Sequence, residues 1–379
     1  MDENLLARLR ETYADAGGDI VSNERFRQVA RLLYTEPGNR AKPYSGIPTL
    51  LDAPVAELNG PEDGGSLDVA LLGAPMDLGV TNRPGARFGP RALRAMERVG
   101  PYNHVLDVVP LASMRCGDIG DVPFRSRYDL EKSIEDIEAF VNGVVATGAR
   151  PLTVGGDHSI TYPILKAVGA SRPVGLIHID AHCDTQGPFD GSKFHHGAPF
   201  RNAVLDGVLD SKRTVQIGIR GSAEFAWEFS YDAGMTVIHA EDVARRGLDD
   251  VIETSRSVLG QGPVYVSVDV DGIDPAYAPG TGTPEVGGLT PLEVQTILRG
   301  LADFDIVGGD VVEVAPQYDA TTNTAHVGAQ MLFEILSMMA YRTVDGTTDG
   351  TTDGTGDVTT DGTTDGTVER QGAESSTER

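Results

Sequence analysis

Residues 174–184 read Val174-Gly175-Leu176-Ile177-His178-Ile179-Asp180-Ala181-His182-Cys183-Asp184, an apolar run that ends in three potential metal ligands at alternate positions. A short continuous apolar run between helical patterns is typical of a strand buried on both faces of a parallel sheet. Side chains two apart in extended chain point to the same side, so Asp180, His182 and Asp184 are predicted to converge. Burying three such groups is costly unless they are paired or bind a metal.

Two further clusters repeat this arrangement at the ends of other apolar runs. His158 follows Gly155-Gly156-Asp157, and Asp269 and Asp271 follow the run that ends at Val268. Four carboxylates and two imidazoles in one place would repel unless cations lay between them. Two divalent ions would balance that charge and make hydroxide available near neutral pH. Oxygen and imidazole ligands without thiolate favour manganese, with nickel, iron, cobalt or zinc as alternatives. The predicted ligands are His158, Asp180, His182, Asp184, Asp269 and Asp271.

The spacing of apolar runs and helical patterns predicts a three-layer α/β/α domain around a mainly parallel sheet. Strands are predicted at Val69–Gly73, Leu152–Val154, Val174–Ile179, Thr214–Ile219, Met235–His239, Val264–Val270 and Ile306–Val314. Helices are predicted at Pro90–Val99, Asp129–Ala146, Ile160–Val168, Leu248–Leu259, Pro291–Leu301 and Ala329–Ala340. Sites in such sheets lie beyond the carboxyl ends of the strands, where all three clusters fall.

The ends of the chain differ in composition from this domain. Residues 1–66 are predicted to be an irregular N-terminal arm with one short helix around Arg25–Leu33. The extended segment Pro43–Leu50 could cover a sheet edge, reach a neighbouring subunit or form a simple loop. The catalytic domain is predicted to span residues 67–342. Residues 343–379 repeat Thr-Thr-Asp-Gly units with almost no apolar content, which predicts a disordered acidic tail.

The chain is strongly acidic, with a formal net charge of −25. The tail carries nine Asp and Glu against two Arg, so most of the excess belongs to the rest of the chain, which has only five lysines. Such a surface suits a salt-rich cytoplasm, and we expect a halophilic source. Nucleic acid is an unsuitable partner because basic patches are absent. Two cysteines, no signal-peptide pattern and no membrane-length apolar run predict a cytoplasmic protein that does not contact a membrane.

The three clusters resemble those of the ureohydrolase family, which contains arginases, agmatinases and related amidinohydrolases. The resemblance covers about residues 46–341. It implies an α/β/α sandwich around an eight-stranded parallel sheet and self-association into trimers or hexamers. Further segments that carry it are Asn82-Arg83-Pro84-Gly85-Ala86-Arg87-Phe88-Gly89-Pro90, His196-Gly197-Ala198-Pro199-Phe200, Pro279-Gly280-Thr281-Gly282-Thr283-Pro284-Glu285 and Val312-Glu313-Val314-Ala315-Pro316.

The resemblance also implies roles for individual residues. Asp180 and Asp269 would bridge two metals, His158 and Asp184 completing one site and His182 and Asp271 the other. Glu313 would bind the guanidinium group of the substrate. His196 would transfer a proton to the departing amine, although the adjacent His195 is an alternative. Asp184 could aim the attacking hydroxide.

The segments around Arg83 and His196 are more similar to the agmatinase branch than to arginases. Agmatine is therefore the predicted substrate, with 4-guanidinobutyrate, 3-guanidinopropionate and guanidine as alternatives and arginine as a weaker one. Asp190 would favour the amine of agmatine, whereas Lys193 would favour a carboxylate. A single-zinc deacetylase of similar fold and a regulatory or scaffold protein without activity are the other classes considered.

Overall fold

Eight parallel strands form one sheet in the computed structural model, which describes residues 2–14, 26–27, 29–30, 46–58, 66–97, 99–221 and 224–348. The spatial order is β2-β1-β3-β8-β7-β4-β5-β6, and every neighbouring pair is parallel. This confirms the predicted fold class. The strands are β1 (Val69–Ala74), β2 (Cys116–Asp121), β3 (Arg150–Gly155), β4 (Val174–Ile179), β5 (Leu209–Ile219), β6 (Thr236–His239), β7 (Pro263–Asp269) and β8 (Asp305–Val312).

Helices cover both faces of this sheet. One hydrophobic cluster packs Val251, Ile297 and Leu332 against one face, and a second packs Ile137 and Ile164 against the other. β1 and β4 are buried at all six positions, as expected for strands between two helical layers. The helices are α1 (Glu3–Tyr13), α2 (Gly89–Arg94), α3 (Pro110–Ser113), α4 (Leu130–Ala146), α5 (Thr161–Val168), α6 (Pro199–Leu205), α7 (Glu228–Ala233), α8 (Ala240–Arg246), α9 (Leu248–Leu259), α10 (Pro291–Gly300) and α11 (Asn323–Thr348).

The sequence missed the edge strand β2. Its segment, Cys-Gly-Asp-Ile-Gly-Asp, combines two glycines with two aspartates, residue types that are depleted in strands. Only its first three residues are buried, so no apolar run marks it. The strand forms because its backbone pairs with β1, where Val69 lies beside Cys116 and Leu71 beside Asp118. Pairing with a neighbour therefore decides this element rather than local preference.

Within residues 1–66 the structure contains one helix that the prediction lacked. The exposed helix α1 begins after Asp2, whose side chain accepts a hydrogen bond from the backbone N–H of Asn4 at 2.9 Å and caps the helix. Of the helix predicted around Arg25–Leu33, positions 26, 27, 29 and 30 are helical and the others lie outside the described residues.

The segment that follows the predicted extended arm lies along the free edge of β2. Asp118 donates its backbone N–H to the carbonyl of Pro54, and Ala56 donates to the carbonyl of Asp118. The carboxylate of Asp118 also accepts the N–H of Leu50 at 2.9 Å. The edge strand is thereby covered by the chain itself, which removes a surface for unwanted strand pairing.

The last helix, α11, extends to Thr348, six positions beyond the predicted domain boundary at residue 342. The remainder of the predicted tail, residues 349–379, lies outside the described residues. Within the described ranges, no helix combines the length and the apolarity needed to cross a bilayer.

Candidate metal and guanidinium site

Four adjacent strands at the centre of the sheet bring the predicted ligands together. In spatial order they are β3, β8, β7 and β4. His158 follows β3, Glu313 follows β8, Asp269 ends β7, and Asp180 follows β4. Because the strands are parallel, all four carboxyl ends lie at the same edge of the sheet. Residues more than 100 positions apart in the chain thus meet in one site.

His158 faces three carboxylates. Its Nδ1 atom lies 2.9 Å from Asp184 Oδ2, 3.2 Å from Asp180 Oδ2 and 3.3 Å from Asp269 Oδ2. The imidazole is fully buried, and Nδ1 has no hydrogen-bond partner of good geometry. Together these four residues could hold one metal ion. They are the set predicted for the first site.

A second group of ligands lies beside the first and shares Asp180 with it. His182 Nδ1 is 3.2 Å from Asp271 Oδ2 and 3.5 Å from Asp180 Oδ1. These three residues form another set that could hold a metal. Asp269 belongs to the first group, and its Oδ1 atom accepts the backbone N–H of Asp271 at 2.8 Å. Asp180 alone therefore joins the two groups.

The charges of this site require compensation. Burial and the charges of Asp271 and Asp180 raise the pKa of Asp269 well above its usual value. Burial and Asp180 raise the pKa of Asp271 to about 6. Burial lowers the pKa of His158, but hydrogen bonding to the three carboxylates outweighs it and leaves that pKa well above normal. Protons or cations must therefore occupy the space between these side chains, and divalent cations fit an oxygen and imidazole donor set.

Glu313 lies next to the ligand groups with one oxygen unpartnered. Its Oε1 atom accepts the backbone N–H of His158 at 3.0 Å and contacts His196 Nδ1 at 3.1 Å. Its Oε2 atom is buried and has no hydrogen-bond partner among the residues that the structure describes. An ionised oxygen in that state is costly and is suited to a cationic ligand.

His196 is held between Glu313 and Thr81. Its Nε2 atom lies 2.8 Å from the hydroxyl of Thr81. Burial lowers the pKa of His196, but the hydrogen bond and charge of Glu313 raise it to about 9, so its proton is retained at neutral pH. The neighbouring His195 instead points Nε2 at the carbonyl of Gly187, at 2.9 Å. Only His196 of the two contacts Glu313.

Two residues of this site have a strained backbone. Asp184 and Glu313 have φ values of 51° and 62°, a left-handed conformation that is costly for residues with a side chain. Gly156 has a different constraint, since an added Cβ would overlap the carbonyl oxygen of Met76. The glycine before His158 is therefore required by close backbone approach.

A cavity of about 80 Å³ opens onto the ligands. Asp190 and Lys193 are both exposed and do not belong to the wall of this cavity. They are also absent from the wall of a second cavity, which shares Gln186 with the first. Lys193 instead lies over the ring of Phe194, with Nζ 4.8 Å from the ring centre. The wall of the cavity consists of Thr81, His182, Asp184, Gln186, His195, His196, Gly197, Asp269, Asp271 and Thr283.

Several residues beside the ligands had no predicted role. Thr283 lies within a segment singled out in the sequence and donates to Asp271 Oδ2 at 3.1 Å, and Thr81 directly precedes another such segment. His178 is completely buried and contacts Asp180 Oδ2 through Nε2 at 2.8 Å. Asp310 lies within an apolar run, and nothing in the sequence singled it out. Its side chain lies one residue away from the ligands, because Ser267 connects it to His158.

Cys183 and Asp274 lie beside the clusters but belong to neither ligand group. Cys183 is 2% exposed, and burial raises the pKa of its thiol to about 12, as in a packed side chain. Asp274 accepts hydrogen bonds from the backbone N–H groups of Ala276, Gly287 and Gly288 and so holds the loop after β7.

Comparisons with known proteins agree with this geometry. Residues 67–338 match the model of the Arginase family. A mitochondrial agmatinase from Gallus gallus is 49% identical over 277 residues, 72% of this chain and 81% of that protein. A guanidinopropionase from Pseudomonas aeruginosa is 46% identical over 301 residues, 78% and 93% of the two chains. The solved structure of proclavaminate amidino hydrolase from Streptomyces clavuligerus superposes with a TM-score of 0.74 at 36% identity, covering 80% of this chain and all of that chain.

Proposed function

Because this chain belongs to the arginase family, we propose that it is a metal-dependent amidinohydrolase that hydrolyses a small linear guanidino compound to urea and an amine. One observation carries the proposal. Two groups of candidate ligands lie beside a cavity. Next to them, Glu313 has a buried carboxylate oxygen without a hydrogen-bond partner among the described residues. The arrangement thus offers charge for a cationic substrate and ligands for the metals of a hydrolase.

The donor set suits two divalent cations, and we propose manganese, with nickel as the alternative. His158, Asp180, Asp184 and Asp269 would hold one ion, and Asp180, His182 and Asp271 the other. Whether Asp269 also contacts the second ion, as the resemblance implies, stays a prediction. When bound, such ions lower the pKa of water to near neutrality and thereby supply a nucleophile.

Three side chains would perform the remaining work. Glu313 would bind the planar guanidinium through charge-assisted hydrogen bonds, which orient its carbon and neutralise its charge. Asp184, on the cavity wall, would accept a hydrogen bond from the attacking water and aim it. His196 would give its proton to the departing amine nitrogen, since a neutral amine leaves far more readily than an amide anion.

For the far end of the substrate we propose an ammonium group, as in agmatine. A second cavity of about 310 Å³ shares Gln186 with the ligand cavity. Its wall carries two carboxylates, Glu228 and Asp232, against one guanidinium, Arg201, which lies over Phe229. A cationic tail is favoured in that environment. The 46% identical guanidinopropionase supports a guanidino acid as the second candidate. Asp190 and Lys193 remain predicted contacts of the amine and the carboxylate, respectively.

A substrate panel tests this function directly. Manganese-loaded and nickel-loaded protein would be offered agmatine, 4-guanidinobutyrate, 3-guanidinopropionate, arginine and guanidine, and urea would be measured together with metal content. We expect two ions per chain and the highest kcat/KM with agmatine. One ion per chain would favour a single-zinc deacetylase, and two ions without urea from any substrate would favour a protein without this activity.

Replacing His196 with alanine should lower kcat about 10²-fold while both metals remain bound, because the variant loses a general acid and no ligand. The wild-type rate should fall above about pH 9, where His196 loses its proton, and the variant should lack this decrease. Stopped assays across pH 7–10 with metal analysis would measure both effects. The matched variant His195→Ala should change kcat less, and a larger loss there would transfer the role to His195.

We also propose that the protein is adapted to high salt. Raising KCl from about 0.1 M to 1 M should raise the unfolding midpoint, because the screening length falls from ~10 Å to ~3 Å and carboxylate repulsion weakens. KCl is preferred to sulfate because sulfate strengthens apolar burial in any protein. Thermal unfolding monitored by circular dichroism would measure the shift. A midpoint that stays constant or falls would contradict halophilic adaptation.

Self-association into trimers or hexamers is a further part of the proposal. Several large apolar side chains are mostly exposed, among them Tyr128 at 85%, Val286 at 82% and Phe225 at 76%. Burying such groups between subunits would stabilise an oligomer. Light scattering coupled to size-exclusion chromatography would give the subunit number.

A further inference from the structure

A row of buried polar side chains crosses five strands beneath the metal ligands. The register places Thr153 beside Asp310, Asp310 beside Ser267, Ser267 beside His178, and His178 beside Gln216. All five residues are completely buried. Paired positions in a parallel sheet direct their side chains to the same face, so these residues form one continuous polar line through an apolar layer.

One end of the row determines which nitrogen of His158 carries a proton. Asp310 accepts the hydroxyl of Ser267 at 2.6 Å through Oδ1. Because a serine has a single hydroxyl hydrogen, Ser267 Oγ must accept the hydrogen bond that joins it to His158 Nε2 at 2.9 Å. Nε2 therefore carries a proton, which leaves Nδ1, the nitrogen that faces the three carboxylates, as the one that can bind a metal.

Asp310 is itself held rigidly. Its Oδ2 atom accepts hydrogen bonds from the hydroxyls of Thr161 at 2.7 Å and Tyr265 at 2.8 Å. Both carboxylate oxygens are thus occupied by hydroxyl donors, and neither faces the ligand cavity. Asp310 reaches the metal site by hydrogen bonds through Ser267 and His158, and its charge also acts on His158.

The other end of the row acts on Asp180 in the same way. Gln216 Nε2 donates to the carbonyl of Cys183 at 2.7 Å and to His178 Nδ1 at 3.0 Å. With Nδ1 accepting, His178 must carry its proton on Nε2 and donate it to Asp180 Oδ2 at 2.8 Å. The carboxylate of Asp180, which joins the two ligand groups, is thereby oriented by the hydrogen bond from His178.

We propose that this polar row is a positioning device which holds His158 and Asp180 ready to bind metal, with Asp310 as its positioning residue for His158. The inference rests on the proposed metal-dependent function. The row does not favour the stability of the fold, because it places polar groups where apolar ones would pack. The hydroxyl of Thr153, for example, is buried without a hydrogen-bond partner among the described residues. The row contains two chains of hydrogen bonds, and each chain ends on a predicted metal ligand. Packing of the core alone does not require that arrangement.

The test compares manganese affinity among variants of the full chain. Asp310→Asn preserves shape but weakens the acceptor for Ser267, so we expect about 10- to 100-fold weaker manganese binding, measured by competition with a chelator. Ser267→Ala removes the hydroxyl that joins Asp310 to His158 and changes the side chain less. It replaces Asp310→Asn in the experiment if that variant does not fold. Thr153→Val is the matched control, because it lies in the same row and loses an unpartnered hydroxyl. Its affinity should equal that of the wild type.

Denaturant unfolding of the metal-free proteins provides the second readout. A residue that only stabilises the sheet would lower metal-free stability and leave manganese affinity unchanged, which would overturn the inference. The double variant Ser267→Ala, Asp310→Asn should bind manganese no more weakly than the weaker single variant, since the two act in one chain. If the losses of manganese affinity in the two single variants added up in the double variant, the inference would also be overturned. Wild-type protein that binds neither manganese nor nickel would refute the proposed function as well, whereas unchanged affinity in active variants would refute this inference alone.

Discussion

Asp180→Asn is expected to lower kcat/KM for urea release by about 10³-fold or more. Asp180 is the one residue shared by both ligand groups, so the substitution weakens both metal sites together. Bound metal contributes several kcal/mol to stabilising the transition state, and each 1.36 kcal/mol corresponds to a factor of ten. Steady-state urea assays with metal analysis of the purified protein would measure the loss. We expect fewer than two ions per chain at micromolar manganese.

Asp274→Asn is the matched control for this prediction. Asp274 also follows β7, but it accepts backbone N–H groups of its own loop rather than facing the ligands. An asparagine oxygen can still accept part of that network, so metal content should remain at the wild-type value. An Asp180→Asn protein that retained two ions and normal turnover would refute the paired-metal site.

Glu313→Gln is expected to lower kcat/KM roughly 10²- to 10³-fold without loss of metal. Removing one member of a buried, hydrogen-bonded charge pair costs roughly 2–5 kcal/mol. The amide oxygen of glutamine can replace Oε1 as acceptor for the N–H of His158, so the loop should keep its shape. The lost component is the negative charge on the unpartnered Oε2 atom that would meet the guanidinium. Kinetics with agmatine and metal analysis would separate substrate binding from metal loss.

Glu285→Gln provides a comparison at a second carboxylate, beside His182. The side chain of Glu285 is 42% exposed and lies 3.7 Å from His182 Nε2, too far for a strong hydrogen bond. Exposed charges of this kind contribute about 1 kcal/mol or less, so kcat/KM should change by less than tenfold. If Glu313→Gln removed metal along with activity, Glu313 would be assigned to the metal site instead of the substrate.

The ligand positions could be predicted because short-range patterns encode them. Asp180, His182 and Asp184 alternate at the end of an apolar run, and alternation has a direct meaning in extended chain. The two glycines before His158 and the family motifs around Glu313 and His196 supplied the remaining residues. The fold class followed from the same runs, because buried parallel strands must be apolar throughout.

The elements that could not be predicted depend on neighbours distant in the chain. β2 has a poor strand sequence and forms by pairing with β1. The left-handed backbone at Asp184 and Glu313 has no sequence signal, since the surrounding structure imposes it. Asp310 lies among apolar residues of β8, and its connection to His158 arises only when β7 and β8 align Ser267 beside it.

The sequence by itself determined the six candidate metal ligands and the strand ends on which they lie, because alternation and apolarity are local properties of the chain. The tertiary structure decided how they are used. The strand order placed β3, β8, β7 and β4 side by side, and the register aligned a polar row beneath the ligands. Distances, tautomers and the free oxygen of Glu313 follow from that alignment, because hydrogen bonds between strands depend on register rather than on neighbouring residues.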